Sequence, residues 1–212
     1  MSDVPRVRTD ALRLVAVTDS LHGGIEELAR RATAAVAGGA TMLTLRLPDQ
    51  SPRTLAEVAR ALRAAAPSVP LLVSDRVDVA LAVDADGVHV GSNGLSAAAV
   101  RGFVPDRMII GASVGGDAEV VRATGADFVA IGPVFSTSAA GASESIGVER
   151  LAALARACQL PALAVGGISP SNAASVIAAG AVGVAVLNAL LGADDPARAA
   201  RELGSALDAS GT

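Results

Sequence analysis

The sequence predicts a single (β/α)8 TIM barrel, and three observations lead to this fold class. Eight short apolar runs alternate with eight helix-like segments along 212 residues. The apolar runs do not alternate with polar residues, which indicates parallel strands that are buried on both faces. Hydrophobic residues make up 51% of the chain, as expected when a barrel buries all of its strands.

The predicted strands are apolar and rich in β-branched residues, and the predicted helices fill the intervals between them. In chain order the strands span Leu12–Val17, Thr41–Leu45, Leu71–Val73, Gly87–Val90, Met108–Ile110, Phe128–Ile131, Ala162–Val165 and Gly183–Val186. The helices span Ile25–Ala37, Pro52–Ala65, Val77–Ala82, Ser96–Arg101, Ala118–Ala123, Val148–Ala157, Asn172–Ala179 and Pro196–Leu207. Ser51-Pro52 and Ser169-Pro170 are typical helix starts, and Gly180 is a typical helix end.

A repeated junction between helix and strand supports the eightfold pattern. A Gly-Ala pair follows a predicted helix and precedes a predicted strand at Gly39-Ala40, Gly125-Ala126 and Gly180-Ala181. Glycine accepts the positive φ with which helices commonly end. A doubly wound open sheet is the alternative, but no G-x-G-x-x-G pattern follows the first strand. We expect one domain over residues 1–212, with flexible tails at 1–10 and 209–212.

Composition excludes several classes of function. Trp and Tyr are absent and the net charge is −4, so we expect no nucleic-acid partner. All 17 basic residues are arginine, which excludes a Schiff-base lysine and a lysine-dependent phosphate loop. Cys158 is the only cysteine, which excludes an internal disulfide.

The chain is expected to be cytoplasmic and to have no membrane partner. Its uncharged stretch, Ala157–Ala193, is interrupted by Pro161, Gly166-Gly167 and Gly180. The uninterrupted runs are therefore well short of the ~20 residues that a membrane-spanning helix needs. Charged residues near the N-terminus stand where a signal peptide would have an apolar core. A barrel exterior rich in Ala and Leu is compatible with a homodimer.

Polar and ionisable side chains follow the third and fourth predicted strands. Ser74-Asp75-Arg76 comes directly after the third strand, and His89 lies at the end of the fourth. Neighbouring strands of a barrel end at the same rim, where barrel enzymes place their active sites. The sequence therefore predicts a site that contains both Asp75 and His89.

A phosphate site is predicted after the seventh and eighth strands. Gly166-Gly167-Ile168 follows the seventh strand, and Leu187-Asn188 follows the eighth. In many barrels the backbone N–H groups of these two loops bind a phosphate, and glycine allows close approach of the anion. The alternative is that Gly166-Gly167 only makes a tight turn.

Together these residues resemble the superfamily of thiamine phosphate synthases and TenI-type thiazole tautomerases. The similarity runs from about Leu14 to Leu207, and its most specific motifs are Asp75-Arg76-Val77-Asp78 and Asp86-Gly87-Val88-His89. It implies thiamine biosynthesis and a small phosphorylated heterocycle, thiazole phosphate or thiamine phosphate, as the partner. The candidate catalytic residues are Arg46, Asp75, His89 and Ser113, and Thr137 joins the candidate phosphate site.

Several positions depart from the synthase pattern that the resemblance implies. The family's glutamine, lysine, asparagine, second metal aspartate, second threonine and second lysine fall at Thr44, Pro48, Ser74, Gly94, Ala139 and Ala140. Asp75 remains as the one candidate metal ligand, because its expected partner is Gly94. No cofactor is therefore expected, unless synthase activity is retained and Mg²⁺ binds at Asp75.

These departures lead us to expect a thiazole phosphate tautomerase more than a synthase. A tautomerase needs neither pyrophosphate nor metal, only an acid/base group beside the phosphate. His89 is the candidate base, because the histidine expected two residues after Ser113 is Gly115 and His22 is taken for a solvated loop residue. Two alternatives stay open. One is a synthase that joins hydroxymethylpyrimidine pyrophosphate to thiazole phosphate with arginines in place of the lysines; the other is a non-catalytic binder of the phosphate ligand.

Overall fold

Eight parallel strands form a closed barrel, which confirms the predicted (β/α)8 fold. The computed structural model describes residues 6–137 and 144–209. Each strand pairs with its neighbours in sequence, and the eighth closes the barrel against the first. The strands are β1 (Leu14–Val17), β2 (Met42–Leu45), β3 (Leu71–Ser74), β4 (Gly87–Val90), β5 (Ile109–Val114), β6 (Phe128–Ile131), β7 (Ala162–Val165) and β8 (Gly183–Val186).

The helices cover the outside of the barrel, and a short 3-10 helix, Thr9–Leu12, precedes β1. The α-helices are α1 (Ile25–Ala37), α2 (Pro52–Ala65), α3 (Val77–Ala82), α4 (Ala97–Arg101), α5 (Asp117–Arg122), α6 (Gly147–Cys158), α7 (Ala173–Ala178), α8 (Asn188–Leu191) and α9 (Pro196–Asp208). The side chains of Ser51 and Ser96 accept hydrogen bonds from the first turns of α2 and α4. These caps fix where the two helices begin.

Four of the eight strands differ from the prediction, five of the eight predicted helices differ by one residue at one or both ends, and one short helix was not predicted. Strand β2 starts one residue later than predicted and β3 ends one residue later. Leu12 belongs to the 3-10 helix, so β1 begins at Leu14. Strand β5 continues past Ile110 to Val114, although its middle residues are small. A side chain at Gly111 would collide with the ring of Phe128, which explains why an apolar signal is missing there. Helix α8 was not predicted, because a single turn leaves no periodicity to detect.

Two apolar layers form the core, one inside the barrel and one between the strands and the helices. The interior layer includes Val15, Met42, Leu72, Phe128 and Leu163, all of which are almost fully buried. Their neighbours along the strands point outward against the helices. Because the interior is filled by these side chains, a ligand has room only above them, at the carboxyl ends of the strands.

Three side chains at the opposite end of the barrel hold the starts of the strands. Each precedes an even-numbered strand and accepts a backbone N–H from the strand before it. The pairs are Thr41 with Leu14 at 2.9 Å, Asp86 with Leu71 at 2.7 Å, and Asp127 with Ile110 at 2.7 Å. Asp127 also pairs with Arg101 at 2.5 Å. These carboxylates are structural and lie far from the carboxyl ends where the candidate site opens.

The expected tails fall partly outside the described residues, at 1–5 and 210–212. Within the described part, Val7 is buried and Arg6 donates to the backbone carbonyl of Asp106. No helix in residues 6–137 or 144–209 has both the length and the apolar character to cross a membrane.

Candidate active site

The carboxyl ends of the strands open into a cavity of about 1020 Å³. Its floor is apolar and includes Val15, Phe128 and Leu163, whereas its walls carry polar and charged groups. Of the predicted site residues, those that line it are Arg46, Asp75, His89, Ser113, Thr137, Gly166 and Leu187. Gly167, Ile168 and Asn188 belong to the same two loops but are not part of the cavity wall.

His89 and Ser113 form a hydrogen-bonded pair between neighbouring strands. The Nε2 atom of His89 lies 2.9 Å from the Oγ atom of Ser113. The imidazole packs against the ring of Phe128 with centroids 5.9 Å apart. A Cβ atom at Gly111 would lie 2.6 Å from His89 Nδ1, so the glycine leaves the space that the histidine occupies. The imidazole is thus held in one position, with one nitrogen engaged by Ser113.

This environment keeps His89 neutral. Burial lowers the pKa of His89 from 6.5 to about 4, an effect that the charge of Asp75 opposes and the charge of Arg46 reinforces. Desolvation disfavours the charged form of a histidine, so burial is the expected main cause. At neutral pH the imidazole therefore carries no charge and can orient the Ser113 hydroxyl without changing the charge of the cavity.

Asp75 is fixed at the junction of β3 and β4. Its backbone has a φ of 63°, its N–H donates to the His89 carbonyl at 2.7 Å, and its Oδ1 accepts the Gly91 N–H at 3.1 Å. Such a conformation is strained for a residue other than glycine and is often kept at functional sites. A side chain at Gly94 would collide with Asp75 Oδ1, so the carboxylate occupies the space above that glycine.

Arg46 brings a positive charge to the cavity wall. The fully buried Thr18 hydroxyl holds the backbone of Arg46. It accepts the backbone N–H of Arg46 at 2.8 Å and donates to the backbone carbonyl of Arg46 at 3.1 Å. Within the described ranges, the guanidinium of Arg46 makes no ion pair with a carboxylate. By contrast, Arg76 pairs with Asp78 at 2.5 Å, and this hydrogen bond raises the pKa of Arg76.

The loop after β7 packs closely against the loop after β6. A Cβ atom at Gly166 would lie 2.5 Å from the Cβ of Pro133, and one at Gly167 would lie 2.7 Å from the Ser136 carbonyl oxygen. Both glycines also have positive φ, 89° and 65°. Packing alone therefore requires these two glycines, as the tight-turn alternative assumed. If this loop binds a phosphate, the backbone N–H groups are the part of it that would do so.

The donor set fits Mg²⁺ only as a site shared with a phosphorylated ligand. The described residues contain no group of three or more His, Cys, Asp or Glu side chains that could hold a metal ion. Asp75 offers one carboxylate, and Mg²⁺ commonly binds to one or two carboxylates together with substrate phosphates and water. Asp75 is therefore the residue that would hold the ion.

Some residues lie elsewhere than the sequence led us to expect. His22 is not solvated: its left-handed backbone, with φ of 50°, brings Nε2 to 3.1 Å from Asp19 Oδ1, and the ring is mostly buried. Neither residue lines the cavity.

Glu119 and Glu144 line the cavity, and the sequence did not lead us to expect them there. Their positions could have indicated it, because Glu119 follows β5 and Glu144 follows β6 in the chain. Positions 139 and 140 lie outside the described residues.

Comparison with known proteins assigns the sequence that forms this site to one family. Residues 14–190 match the family described as thiamine monophosphate synthase. The chain belongs to this family. Its membership confirms the resemblance drawn from the Asp75 and His89 motifs and assigns the chain to thiamine biosynthesis.

Individual members of the thiamine monophosphate synthase family are similar over most of their length. A thiamine-phosphate synthase of Roseiflexus sp. (strain RS-1) is 45% identical over 201 residues, covering 91% of this chain and 85% of the relative. One of Moorella thermoacetica is 42% identical over 194 residues, covering 89% and 92%. These names favour the synthase alternative and do not support our preference for a tautomerase.

Solved structures agree with the family and with the fold. Thiamine phosphate pyrophosphorylase from Pyrococcus furiosus has a TM-score of 0.83 and 34% identity, covering 95% of this chain and 98% of that one. A 3-hexulose-6-phosphate synthase has a TM-score of 0.71 at 24% identity, covering 92% and 100%. The second similarity concerns the fold alone.

Proposed function

We propose that the protein is a thiamine phosphate synthase that joins hydroxymethylpyrimidine pyrophosphate to thiazole phosphate. One observation carries the proposal: 45% identity over 91% of the chain to a protein named thiamine-phosphate synthase. In this reaction the bond between the pyrimidine methylene carbon and the diphosphate oxygen breaks, and diphosphate leaves with the electron pair. The thiazole nitrogen then forms a bond to that carbon, which gives thiamine phosphate.

This chemistry requires charge stabilisation rather than proton transfer. Negative charge grows on the leaving diphosphate, so fixed positive charge beside it lowers the barrier. Arg46 lines the cavity and has no carboxylate partner among the described residues, so its guanidinium is available for the diphosphate. Arginine also presents several donors in a planar fork that suits phosphate oxygens. We assign to Arg46 the role that lysines would otherwise have.

Asp75 is proposed to hold Mg²⁺ together with the diphosphate. When bound, the ion would neutralise part of the negative charge on the leaving group. The left-handed backbone of Asp75 and its hydrogen bond from Gly91 direct the carboxylate into the cavity, where it is ready to bind a cation.

The state of His89 supports a synthase over a tautomerase. A tautomerase needs a group that gains and releases a proton near neutral pH. A histidine with pKa of about 4 is a weak base, and its Nε2 is already engaged by Ser113. In a synthase the same neutral pair instead orients the Ser113 hydroxyl toward a substrate, without accepting a proton.

An assay with both substrates tests the proposal. The purified protein is incubated with hydroxymethylpyrimidine pyrophosphate, thiazole phosphate and Mg²⁺, and thiamine phosphate is measured over time. Accumulation at an enzymatic rate supports the synthase. Binding of thiazole phosphate without any product would favour a non-catalytic binder, and isomerisation of a carboxythiazole phosphate alone would favour a tautomerase.

A further inference from the structure

Three consecutive peptide groups after β7 are held through their carbonyl oxygens. The carbonyls of Val165 and Gly166 accept backbone N–H groups from the loop after β6, at 2.8 and 3.1 Å. The third carbonyl, that of Gly167, accepts a hydrogen bond from Asn172 Nδ2 at 2.9 Å. Each bond fixes the orientation of one peptide plane.

Fixing these carbonyls also fixes the N–H groups on the other side of the same planes. The C=O and N–H of a trans peptide point in opposite directions. The N–H groups of Gly166, Gly167 and Ile168 are therefore directed away from the bonds that hold the loop, and in the described part of the chain none of them donates to a protein acceptor. Successive free N–H groups in a turn form a concavity that binds anions.

Both the nitrogen and the oxygen of the Asn172 side-chain amide form hydrogen bonds with this loop. It immediately precedes α7, where an asparagine commonly accepts a hydrogen bond from the first turn of its own helix. Its side chain makes no such bond. Instead Nδ2 donates to the Gly167 carbonyl, and Oδ1 accepts the Ser169 N–H at 2.8 Å. The side chain therefore stabilises the conformation of the loop and does not cap the helix.

We propose that Asn172 is a positioning residue for the phosphate of the substrate. It acts through the peptide between Gly167 and Ile168, which directly follows the cavity-lining Gly166 in the same turn, and the plane of this peptide sets the direction of the Ile168 N–H. The inference rests on the proposed function, because thiazole phosphate is the substrate whose phosphate this loop would hold. Asn172 itself does not line the cavity, so it acts without touching the reacting atoms.

The variant Asn172→Asp tests this role at one atom. The carboxylate still accepts the Ser169 N–H, but it places an oxygen against the Gly167 carbonyl and repels it. Inorganic phosphate is titrated into the protein while the backbone amide signals are followed by NMR. In the wild type we expect the signals of Gly166, Gly167 and Ile168 to shift. In the variant we expect the dissociation constant to rise about tenfold, with the Ile168 shift most reduced.

Kinetics give a second readout that a merely structural role would not produce. We expect the KM for thiazole phosphate to rise about tenfold in Asn172→Asp, with a much smaller change in kcat and in the KM for the pyrimidine substrate. Ser171→Ala is the matched control. Among the described residues its hydroxyl bonds to Ser169 Oγ alone, at 2.9 Å in the same loop, so both the phosphate titration and the kinetics should match the wild type.

Two results would overturn the assignment. One is unchanged phosphate affinity with an unchanged Ile168 shift in Asn172→Asp. The other is a wild-type protein in which phosphate moves none of the three amide signals, a measurement that needs no variant to fold. A wild type that binds phosphate at these amides but makes no thiamine phosphate would reject the synthase proposal while leaving the role of Asn172 supported.

Discussion

His89 on β4 and Ser113 on β5 are joined by a hydrogen bond of 2.9 Å at the wall of the cavity. Asp75 and Arg46 line the same cavity, and their charges act on the pKa of His89 in opposite directions: Asp75 raises it and Arg46 lowers it. Burial outweighs both, so the pair stays neutral. The cavity wall thus combines the Ser113 hydroxyl, the Asp75 carboxylate and the Arg46 guanidinium, which has no carboxylate partner among the described residues. This combination is suited to departure of an anion.

His89, which is half-buried at the cavity wall, makes stability depend on pH in a defined range. Its pKa is about 4 in the folded protein and near 6.5 when exposed, so the unfolded chain binds the proton first as pH falls. Stability from His89 is therefore complete above pH 6.5 and is lost between pH 6.5 and 4, by about 3 kcal/mol. Urea denaturation of wild type and His89→Gln at several pH values measures this difference. Parallel curves for the two proteins would contradict it.

Patterns along the sequence predicted the barrel because buried parallel strands leave apolar runs. Seven of the eight strands begin or end where those runs do, including Gly87–Val90 and Phe128–Ile131. The extension of β5 to Val114 was missed because Gly111 is small for a tertiary reason, the space taken by Phe128 and His89. A local pattern carries no information about which ring lies across the barrel.

Part of the candidate site was predictable and part was not. Asp75 and His89 were expected to meet because they end neighbouring strands, and both line the cavity. The neutrality of His89 was not predictable, since it depends on burial from several elements. The hydrogen bonds of Asn172 were also not predicted. The sequence placed Asn172 only at the start of a helix, and its side-chain bonds depend on the path of the Gly167 backbone.

Removal of the Arg46 charge should impair the reaction strongly. Arg46→Ala takes away a guanidinium of the cavity wall that has no carboxylate partner in residues 6–137 and 144–209. We expect kcat/KM to fall by about 10² to 10³, as for loss of one group that stabilises transition-state charge. Arg46→Lys should recover part of this loss. Steady-state kinetics with both substrates provide the measurement.

Arg53→Ala is the control for Arg46, because Arg53 is exposed in the first turn of α2 and lies outside the cavity. We expect its kcat/KM to stay within about twofold of the wild type, since exposed charges contribute little. Equal effects of the two substitutions would argue against a specific role for Arg46.

The carboxylate of Asp75 should set the requirement for Mg²⁺. Asp75→Asn keeps the acceptor for the Gly91 N–H but removes the charge, so the Mg²⁺ concentration for half-maximal activity should rise about tenfold or more. Binding of Mn²⁺ in the presence of diphosphate, followed by electron paramagnetic resonance, gives a readout independent of turnover. Asp49→Asn, an exposed carboxylate after β2, serves as the control. Identical Mn²⁺ affinity in both variants would exclude Asp75 as the ligand.

The carboxylate of Asp127 should be important for stability and not for activity. Asp127→Ala removes the acceptor of the Ile110 N–H and leaves the half-buried Arg101 without its partner. We expect the free energy of unfolding to fall by about 3 kcal/mol. In Asp84→Asn the exposed ion pair with Arg107 is lost, while asparagine still tolerates the left-handed backbone of this position, so the substitution should cost less than about 1 kcal/mol. Urea denaturation of both variants tests the contrast, and equal losses would refute the structural role.

The most direct measurement of the central claim is the stoichiometry of the complete reaction. Wild-type protein is supplied with hydroxymethylpyrimidine pyrophosphate, thiazole phosphate and Mg²⁺, and both products are measured. The synthase proposal predicts one diphosphate released for each thiamine phosphate formed, and no thiamine phosphate when either substrate is omitted. A protein that binds thiazole phosphate but forms no thiamine phosphate under these conditions would contradict it.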